Sequence, residues 1–465
     1  MKRIAFFCIP AHGHTNPMLP VAAELVSRGN TVKFYSFNEF KSKIENSGAE
    51  FISCDAYLPK LTKREETELK NVSVTEMTIQ GIRTTLAMDM FLHNEFLSFK
   101  PDVVYTDSVC FWGKLNAWKH GVPMVVSTST FAFNQMSSQY MKNSPKELAD
   151  MIFGLPKISK ELKKLKPYGY HVRSALSLAQ SDNNTDSIVY TSRHFQPYAE
   201  SFSNHYAFVG PSVFLKKEPD KEKARALIYI SLGTVINDRP DFYSRCIEAL
   251  KDQDADIIIS CGNVIDIEAL GVLPDNVQVY PYVDQPDILS RADVFITHCG
   301  MNSVSESLYM ATPLVLYPQT SEQRAVARRT VEIGAGLMLA DDSAQGIRSA
   351  VREVLNNASY SIAAKVCSED FRSCIGTTGA AEFIENAPNF SEGVDVLSEL
   401  NKANVRFQIV YWLSIIIIIS LIGVLISWKY VWVVGVAAGI LSAPIAGSVQ
   451  KKQYASIIKK LKEKN

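Results

Sequence analysis

Short apolar runs alternate with stretches of helical periodicity along residues 1–210. Each run is bounded by turn-forming residues, which is typical of a parallel strand covered on both faces. The predicted strands cover residues 2–9, 31–36, 49–54, 102–106, 123–127, 187–191 and 206–209. The predicted helices cover residues 17–28, 39–47, 75–99 and 111–120, while residues 131–185 carry only weak, partly helical patterns.

The same alternation starts again after residues 216–222, a charged and proline-containing segment that is a predicted linker. The further segments of the series are residues 226–231, 241–251, 256–261, 277–280, 285–290, 293–297, 303–310, 313–317 and 322–333, with two closing helices to about residue 387. Two successive β/α series predict an α/β protein with two doubly wound domains, residues 1–215 and 223–390, that face each other across a cleft.

The C-terminal part of the chain has a different pattern. Residues 407–427 and 430–449 contain no charge, and each stretch is long enough to cross the ~30 Å hydrocarbon layer as a helix. We predict a transmembrane hairpin within residues 405–450 and a basic tail at 451–465. Lysine and arginine flank both ends, so the positive-inside rule predicts a multi-pass cell-membrane protein with its first 400 residues in the cytoplasm. The alternative is a buried helical pair in a soluble core.

Composition narrows the function classes. Of the 465 residues, 47% are apolar and 21% charged, as in ordinary globular proteins, and the formal net charge of zero argues against a dedicated nucleic-acid binder. The eight cysteines form no CxxC pair and no zinc-like cluster with histidine. They are predicted to be reduced, buried thiols, and no metal site is expected.

A glycine-containing turn links the strand that ends at Thr297 to a helix opened by Asn302 and Ser303. The free N–H groups and the positive end of the helix dipole would point out of the carboxyl edge of the sheet, which predicts a site for a diphosphate. His298 and Ser303 add side-chain donors. Glu306, one turn into the helix, can accept two hydrogen bonds from a ribose diol.

A second polar loop, residues 10–17, joins the first strand to the first helix and carries His12 and His14. A histidine on this loop would face the cleft, where a neutral imidazole can remove a proton from a hydroxyl group. A carboxylate on its other nitrogen would fix the tautomer of the imidazole and stabilise the imidazolium that forms. Asp107 closes another strand at the same edge of the sheet.

The two blocks resemble the family 1 inverting glycosyltransferases, most closely their bacterial macrolide-glycosyltransferase-like branch. The family's donor box reads Trp-x-Pro-Gln, His-x-Gly-x-Asn-Ser-x-x-Glu, Gly-x-Pro, Pro and Asp/Glu-Gln. The matching residues, with the spacing kept, are Tyr282, Gln285, His298, Gly300, Asn302, Ser303, Glu306, Pro313, Pro318, Glu322 and Gln323. Asp284 replaces the first Pro of the box, and Ala311 replaces the Gly of Gly-x-Pro.

This resemblance implies the GT-B fold, two Rossmann-like domains facing a cleft, over residues 1–387. It also implies a nucleotide-sugar donor, UDP-glucose. The implied donor-binding residues are Thr234, Tyr282, Gln285, His298, Gly300, Asn302, Ser303, Glu306, Glu322 and Gln323. In these roles Tyr282 and Gln285 lie near the nucleotide base, and Glu306 holds the ribose. Thr234 and the His298–Ser303 block hold the phosphates, and Glu322 and Gln323 hold the sugar.

The family pattern Pro-x-x-Gly-His-x-x-Pro makes His14, and not His12, the implied catalytic base, with Asp107 as its partner. The implied reaction is a single displacement that inverts the sugar, with no metal and no cofactor. The implied partners are a UDP-sugar and a small hydrophobic or lipid acceptor, in addition to the membrane contact of residues 407–449. Phe131, Phe133 and Met136 are candidates for the acceptor pocket, with ordinary core residues as the alternative.

Two other functions remain open from the sequence. The first is a UDP-sugar epimerase of similar build, which would need acid and base groups beside the sugar and no acceptor pocket. The second is a non-catalytic, membrane-bound receptor for nucleotide sugars. Such a receptor would be expected to lack His14 or Asp107, and the chain has both.

Overall fold

The computed structural model describes residues 1–62, 65, 73–134, 136–141, 144–172, 185–212, 225–233 and 237–389. The predicted linker, the predicted hairpin at 405–450, the basic tail and Thr234 lie outside these residues. Within the described ranges, none of the helices has both the length and the apolar character that a membrane crossing needs. All eight cysteines are free thiols, and seven of them are buried, as predicted.

The first sheet has seven parallel strands in the order β3-β2-β1-β4-β5-β6-β7, and the sequence pattern predicts every one of them. The strands are β1 Arg3–Phe7, β2 Thr31–Ser36, β3 Glu50–Ser53, β4 Val103–Asp107, β5 Met124–Thr128, β6 Ser187–Val189 and β7 Tyr206–Phe208. The order reverses between β1 and β4. In doubly wound sheets, ligands bind at this point, beyond the carboxyl ends of the strands.

Five helices accompany this sheet in the described part of the chain. They are α1 His12–Ser27, α2 Lys41–Asn46, α3 Val74–Phe99, α4 Phe111–His120 and α5 Pro145–Lys163. Helix α5 lies where the sequence shows only a weak pattern, and a capping box formed by Ser144 and Glu147 starts it. Helix α1 begins at His12, five residues before the predicted start, and it contains Pro17 and Pro20.

The second sheet has six parallel strands in the order β10-β9-β8-β11-β12-β13. The strands are β8 Ala226–Ser231, β9 Ala255–Ser260, β10 Val277–Tyr280, β11 Val294–Thr297, β12 Leu314–Leu316 and β13 Gly336–Met338. The helices are α6 Pro240–Leu250, α7 Gln285–Arg291, α8 Met301–Tyr309, α9 Ser321–Glu332, α10 Ala344–Asn356, α11 Ala358–Arg372 and α12 Gly376–Glu385. Strand β13 is absent from the sequence prediction, and three helices, α10, α11 and α12, follow it where the sequence predicts two.

Helix α12 packs on the first sheet's side of the molecule, although the sequence assigns it to the second domain. Ala380, Ala381 and Ile384 are fully buried in the hydrophobic core that the first sheet and α1 form. Arg28, just after α1, also pairs with Glu385 at 3.1 Å. The apolar face of α12 explains this position, because a helix buries its apolar stripe against whichever core lies within reach. The chain therefore returns to the first half at α12. This helix packs in the core of the first half, although the sequence places it in the second domain, residues 223–390.

Candidate active site

His14 and Asp107 form a hydrogen-bonded pair at the carboxyl edge of the first sheet. Nδ1 of His14 lies 2.7 Å from Oδ2 of Asp107, the last residue of β4. The Asp107 side chain is fully buried, and that of His14 is 27% exposed. An ionised carboxylate can only accept hydrogen bonds, so Nδ1 carries the proton and Nε2 keeps its lone pair. The pair therefore has the arrangement of a general base with an orienting carboxylate.

Further contacts hold both members of the pair. The backbone N–H of Val109 donates to Oδ1 of Asp107 at 3.0 Å, and Oγ of Ser129 lies 3.1 Å from Nδ1 of His14. Burial by itself would lower the pKa of His14. The charge of Asp107, its hydrogen bond and the charge of Glu322 outweigh burial, and they raise the pKa above its ordinary value.

Next to His14, the backbone contacts the other half of the molecule. Pro17 has no N–H, so the carbonyl of Gly13, four residues earlier in α1, lacks its usual helical partner. The side-chain amide of Asn302, in the first turn of α8, donates to this carbonyl at 3.0 Å. The start of α8, where the diphosphate is predicted, is thus adjacent to the residue that precedes the predicted base.

His12 makes different contacts. Its Nε2 lies 2.8 Å from a carboxylate oxygen of Glu39, and its ring packs edge-on against Phe40. These contacts link α1 to the segment after β2. The structure therefore gives His12 a structural partner and no contact with Asp107.

The start of α8 has the features of an anion site. Gly300 is its N-cap residue, and no side chain caps the helix there. The first N–H groups of a helix need acceptors from outside the helix, and the dipole favours a negative one. Cys299, just before the cap, has a left-handed backbone with φ of 68°.

His298 is enclosed by two glycines at this turn. A Cβ on Gly233 would lie 2.5 Å from Cε1 of the imidazole, and a Cβ on Gly300 would lie 2.6 Å from its Nε2. Burial lowers the pKa of His298 to about 4, against a smaller raising effect of a hydrogen bond to the Ser231 backbone. The imidazole is therefore neutral at pH 7. Its Nδ1 is buried and has no hydrogen-bond partner in the part of the chain that the structure describes.

A chain of hydrogen bonds connects the predicted ribose ligand to the core. The hydroxyl of Tyr229 donates to Oε1 of Gln285 at 3.1 Å. Nε2 of Gln285 donates to Oε2 of Glu306 at 2.6 Å and to Oγ of Ser303 at 3.3 Å. Burial raises the pKa of Glu306 to about 7, although the Gln285 hydrogen bond opposes the shift. Gln285 thus orients the carboxylate and the hydroxyl that the sequence assigns to the donor.

The two departures from the family pattern have local explanations. Asp284, in place of Pro, is the N-cap of α7, and its carboxylate accepts from the backbone N–H of Asp287 at 3.3 Å. Ala311, in place of Gly, has φ of 55°, a conformation that glycine adopts with less strain. Tyr282 is 60% exposed, so its ring can accept a stacked base.

The first turn of α9 carries Glu322 and Gln323. The side-chain oxygen of Gln323 accepts from the backbone of Gln319 at 2.8 Å and, in a capping box, of Thr320 at 3.2 Å. The amide NH₂ of Gln323 is the part of the side chain that remains suited to a sugar hydroxyl. Glu322 is exposed, and its charge contributes to the raised pKa of His14. The two halves of the predicted site are therefore within electrostatic range of each other.

Comparison with known proteins gives the family of the chain. Residues 219–369 match the family described as "UDP-glucoronosyl and UDP-glucosyl transferase". The chain is 31% identical over 402 residues to the uncharacterized UDP-glucosyltransferase YojK of Bacillus subtilis, covering 83% of this chain and 98% of that one. It is 34% identical over 361 residues to the NDP-glycosyltransferase YjiC of Bacillus licheniformis, covering 76% and 89%. The crystal structure of the glycotransferase of kitacinnamycin has the same fold, with a TM-score of 0.69, 24% identity, and coverage of 83% and 98%.

The chain belongs to the UDP-glycosyltransferase family. It is therefore an enzyme that transfers a sugar from a nucleotide sugar, and its fold is GT-B. The roles of individual residues in this glycosyltransferase rest on the geometry described above.

The candidates for the acceptor pocket differ in what they offer a ligand. Phe131 is 1% exposed and packs against Phe195, with ring centroids 5.6 Å apart. Met136 is buried as well, whereas Phe133 is only partly buried. Burial therefore favours the core alternative for Phe131 and Met136. Phe133 is the member of the set with surface to offer an acceptor.

Sequence reasoning missed two side chains of the glycosyltransferase site. Ser129 follows β5, whose residue Ser127 pairs in register with Asp107. A polar residue at the carboxyl edge of the strand next to Asp107 is a signal that could have pointed to it. Tyr229 lies inside an apolar strand, and nothing in the sequence distinguishes its hydroxyl from that of an ordinary core tyrosine.

The described residues contain no group of three or more His, Cys, Asp or Glu side chains that could hold a metal ion.

Proposed function

We propose that the enzyme transfers a hexose, glucose, from a UDP-sugar to a hydroxyl of a small apolar or lipidic acceptor with inversion at the anomeric carbon. His14 is the base and Asp107 orients it. The observation that carries the proposal is the 2.7 Å contact between Nδ1 of His14 and Asp107. It leaves Nε2 as the basic nitrogen, one residue from the backbone contact between Gly13 and Asn302.

The proposed step is a single displacement. The acceptor hydroxyl gives its proton to Nε2 of His14 while its oxygen bonds to the anomeric carbon. The bond from that carbon to the UDP oxygen breaks, and UDP leaves with the electron pair. Asp107 stabilises the imidazolium that forms. The N-terminal N–H groups of α8 stabilise the charge on the departing diphosphate, so the step requires no metal ion.

The donor lies in the second half of the molecule in this proposal. The exposed ring of Tyr282 stacks on uracil, and Glu306, oriented by Gln285, accepts from the ribose hydroxyls. His298 acts as a neutral donor to the phosphates, because its lowered pKa keeps it uncharged before the donor binds. Glu322 and Gln323 bind hydroxyls of the sugar. The relative named a UDP-glucosyltransferase supports the choice of UDP-glucose, although the other relative's name specifies only an NDP-sugar.

The acceptor and the location are linked in the proposal. Residues 405–450 have the composition of a membrane hairpin, and the basic tail that follows favours a cytoplasmic catalytic part. An enzyme held at a membrane meets acceptors that dissolve in lipid. We therefore propose a hydrophobic acceptor with a hydroxyl group.

The test is a transfer assay on detergent-solubilised full-length protein with UDP-glucose, EDTA and a panel of phenolic and lipid acceptors. We expect glycosylated product with inverted configuration, insensitive to EDTA, and a loss of about 10²–10⁴-fold in kcat/KM for His14→Ala. His12→Ala is the matched control and should retain most of the activity.

Three outcomes contradict the proposal. Conversion of UDP-glucose to another UDP-sugar without acceptor would identify an epimerase. Binding of UDP-glucose without turnover on any acceptor would indicate a receptor. Product formation that survives His14→Ala but is lost in His12→Ala would move the base to the other histidine.

A further inference from the structure

Helix α5 exposes a row of large apolar side chains. Leu148, Met151, Ile152 and Leu155 recur at intervals of three and four residues, so they share one face of the helix. Phe153, beside this row, is 78% exposed. Single exposed apolar residues are ordinary on a protein surface, but a contiguous row on one helix indicates a binding surface. We call these five residues the apolar row.

The packing of α5 on α3 fixes the direction of the apolar row. The carboxylate of Asp150 accepts from the backbone N–H of Thr75 at 3.1 Å and from Oγ of Ser73 at 3.0 Å, at the N-terminus of α3. Gly154 lies against Thr75 so closely that any added Cβ would collide with the Thr75 side chain. The helix therefore cannot rotate to bury the row on its own domain.

Helix α5 and its C-terminal flank carry a cationic surface beside the apolar row. Residues 145–166 contain six lysines and three acidic residues, and all six lysines are exposed. The three acids are engaged within the protein. Glu147 pairs with Arg324 at 3.5 Å, Asp150 caps α3, and Glu161 is buried and bonds to Lys164 at 2.8 Å. The outward charge is therefore positive. The lysines are Lys146, Lys157, Lys160, Lys163, Lys164 and Lys166.

We propose that α5 docks on an anionic lipid bilayer, with the apolar row in the interface and the lysines on the headgroups. An exposed apolar face next to a lysine-rich face is the pattern of helices that lie in the plane of a membrane. Charge complementarity selects this occupant, because a second copy of α5 would bring lysines against lysines, whereas an anionic surface attracts them. This surface is distant in sequence from the predicted hairpin, and the inference does not depend on which acceptor the enzyme uses.

The docking would also orient the active site. The first turn of α5 contacts α9 through Glu147 and Arg324, next to the predicted sugar ligands Glu322 and Gln323. A 19-residue helix is about 28 Å long, so the bilayer would lie within one helix length of the reacting groups.

The test uses the full-length chain with one environment-sensitive fluorophore, in vesicles with nitroxide-labelled acyl chains. The label is attached to Ile152→Cys in a Cys374→Ser background, because the other seven native cysteines are buried. The matched control is a label at Val272→Cys, an apolar position that is 99% exposed on the second half. We expect quenching at position 152 but not at 272. It should require anionic lipid and weaken at high salt.

A charge variant tests the role of the lysines. Each lysine at an anionic surface contributes about a fivefold gain in binding, so changing three of them to glutamine should weaken local contact on the order of a hundredfold. The variant is Lys157→Gln, Lys160→Gln and Lys163→Gln, and its control is the same change at the exposed Lys41, Lys43 and Lys251.

Several results would overturn the proposal. Quenching at 152 that is absent, or equal to that at 272, would show that α5 does not enter the bilayer. A label at 152 that is already shielded in detergent and insensitive to lipid would show that another part of the chain covers the row. Shielding that grows with protein concentration would indicate a second copy. If the α5 lysine variant and its control variant lost quenching equally, the lysines of α5 would have no specific role in binding.

Discussion

The two halves of the candidate site differ in how completely their polar groups are satisfied. On the first half, Nδ1 of His14 bonds to the fully buried Asp107 and lies 3.1 Å from Oγ of Ser129. On the second half, Nδ1 of His298 is buried without a partner in the described chain, and no side chain caps α8. The first N–H groups of α8 need acceptors from outside the helix, so the start of α8 is a place where a ligand completes the site. The catalytic base is therefore held in place before any ligand binds, whereas the donor site needs the donor to supply its missing hydrogen-bond partners.

The two histidines show the same contrast in their electrostatics. Burial lowers the pKa of each, but only His14 has a carboxylate beside it, and its pKa rises above the ordinary value while that of His298 falls to about 4. One imidazole is therefore equipped to take up a proton and stay charged. The other is kept neutral until an anion arrives, since a nearby negative charge favours its protonation.

Asp107→Asn should have the largest effect on this contrast. An amide in place of the carboxylate can hold the wrong tautomer of His14, so kcat/KM should fall by about 10²–10⁴-fold. Asp107 also raises the pKa of His14, and an unprotonated base is required. The acidic limb of the kcat/KM profile should therefore move to lower pH in the variant. The pH profile of kcat/KM checks both effects, and calorimetric UDP affinity is the control, because Asp107 has no predicted contact with the donor. An unmoved acidic limb would argue against His14 as the titrating base.

Gly233→Ala tests the donor half. The residue has φ of 76°, and the new Cβ would lie 2.5 Å from Cε1 of His298, so the imidazole must move. The left-handed backbone costs about 1–2 kcal/mol of unfolding free energy for a residue with a Cβ. We expect this loss together with a rise of about tenfold or more in KM for the UDP-sugar.

Gly121→Ala separates the cost of backbone strain from the effect of displacing the His298 imidazole. Its φ of 64° is similar, and an added Cβ meets nothing within 4 Å. This control should lose comparable stability and keep its KM. Thermal unfolding and steady-state kinetics on both variants decide the matter. Equal changes in KM would mean that the position of His298 is unimportant for the donor.

Glu306→Gln should change the pH dependence of UDP binding. The pKa of Glu306 is raised to about 7, so the wild-type carboxylate loses its charge and one acceptor as the pH falls through 7. The dissociation constant for UDP should therefore rise by about 3- to 10-fold between pH 8 and pH 6, because the affected hydrogen bond contributes about 1 kcal/mol to binding. The ratio of the two proteins' dissociation constants removes the titration of UDP itself. A ratio that stays constant with pH would exclude Glu306 as the group responsible.

The sequence predicts the strands of the first sheet well, because continuous apolar runs are local signals. The spacing of the donor motif also selects Gln285, Ser303 and Glu306, which hydrogen bonds bring together in the structure. Two of the misses, the start of α1 and the packing of α12, do not follow from the local pattern. The prolines of α1 argue locally for a start at residue 17, whereas the structure begins the helix at His12. The packing of α12 on α1 is a choice between two cores, which a single amphipathic helix cannot reveal.

Asn302→Ala should have the smallest effect and gives the most direct test of how the two halves are joined. The variant removes the amide that donates to the carbonyl of Gly13, a partly solvated contact, so the expected loss is about 1 kcal/mol of unfolding free energy. Misalignment of the donor against His14, together with the loss of a side chain that the family pattern assigns to the phosphates, should also lower kcat/KM by several-fold.

Pro17→Ala distinguishes these two consequences. It restores the N–H that a helix would direct to the Gly13 carbonyl, and so satisfies that carbonyl within α1. In the double variant, unfolding free energy should recover relative to Asn302→Ala, while kcat/KM should stay low because the hydrogen bond between α8 and α1 is still missing. A double-mutant cycle with Pro17→Ala alone accounts for the effect of proline itself. If kcat/KM recovered together with stability, the hydrogen bond would matter only for the helix, and the alignment of base and donor would have to come from other contacts between the halves.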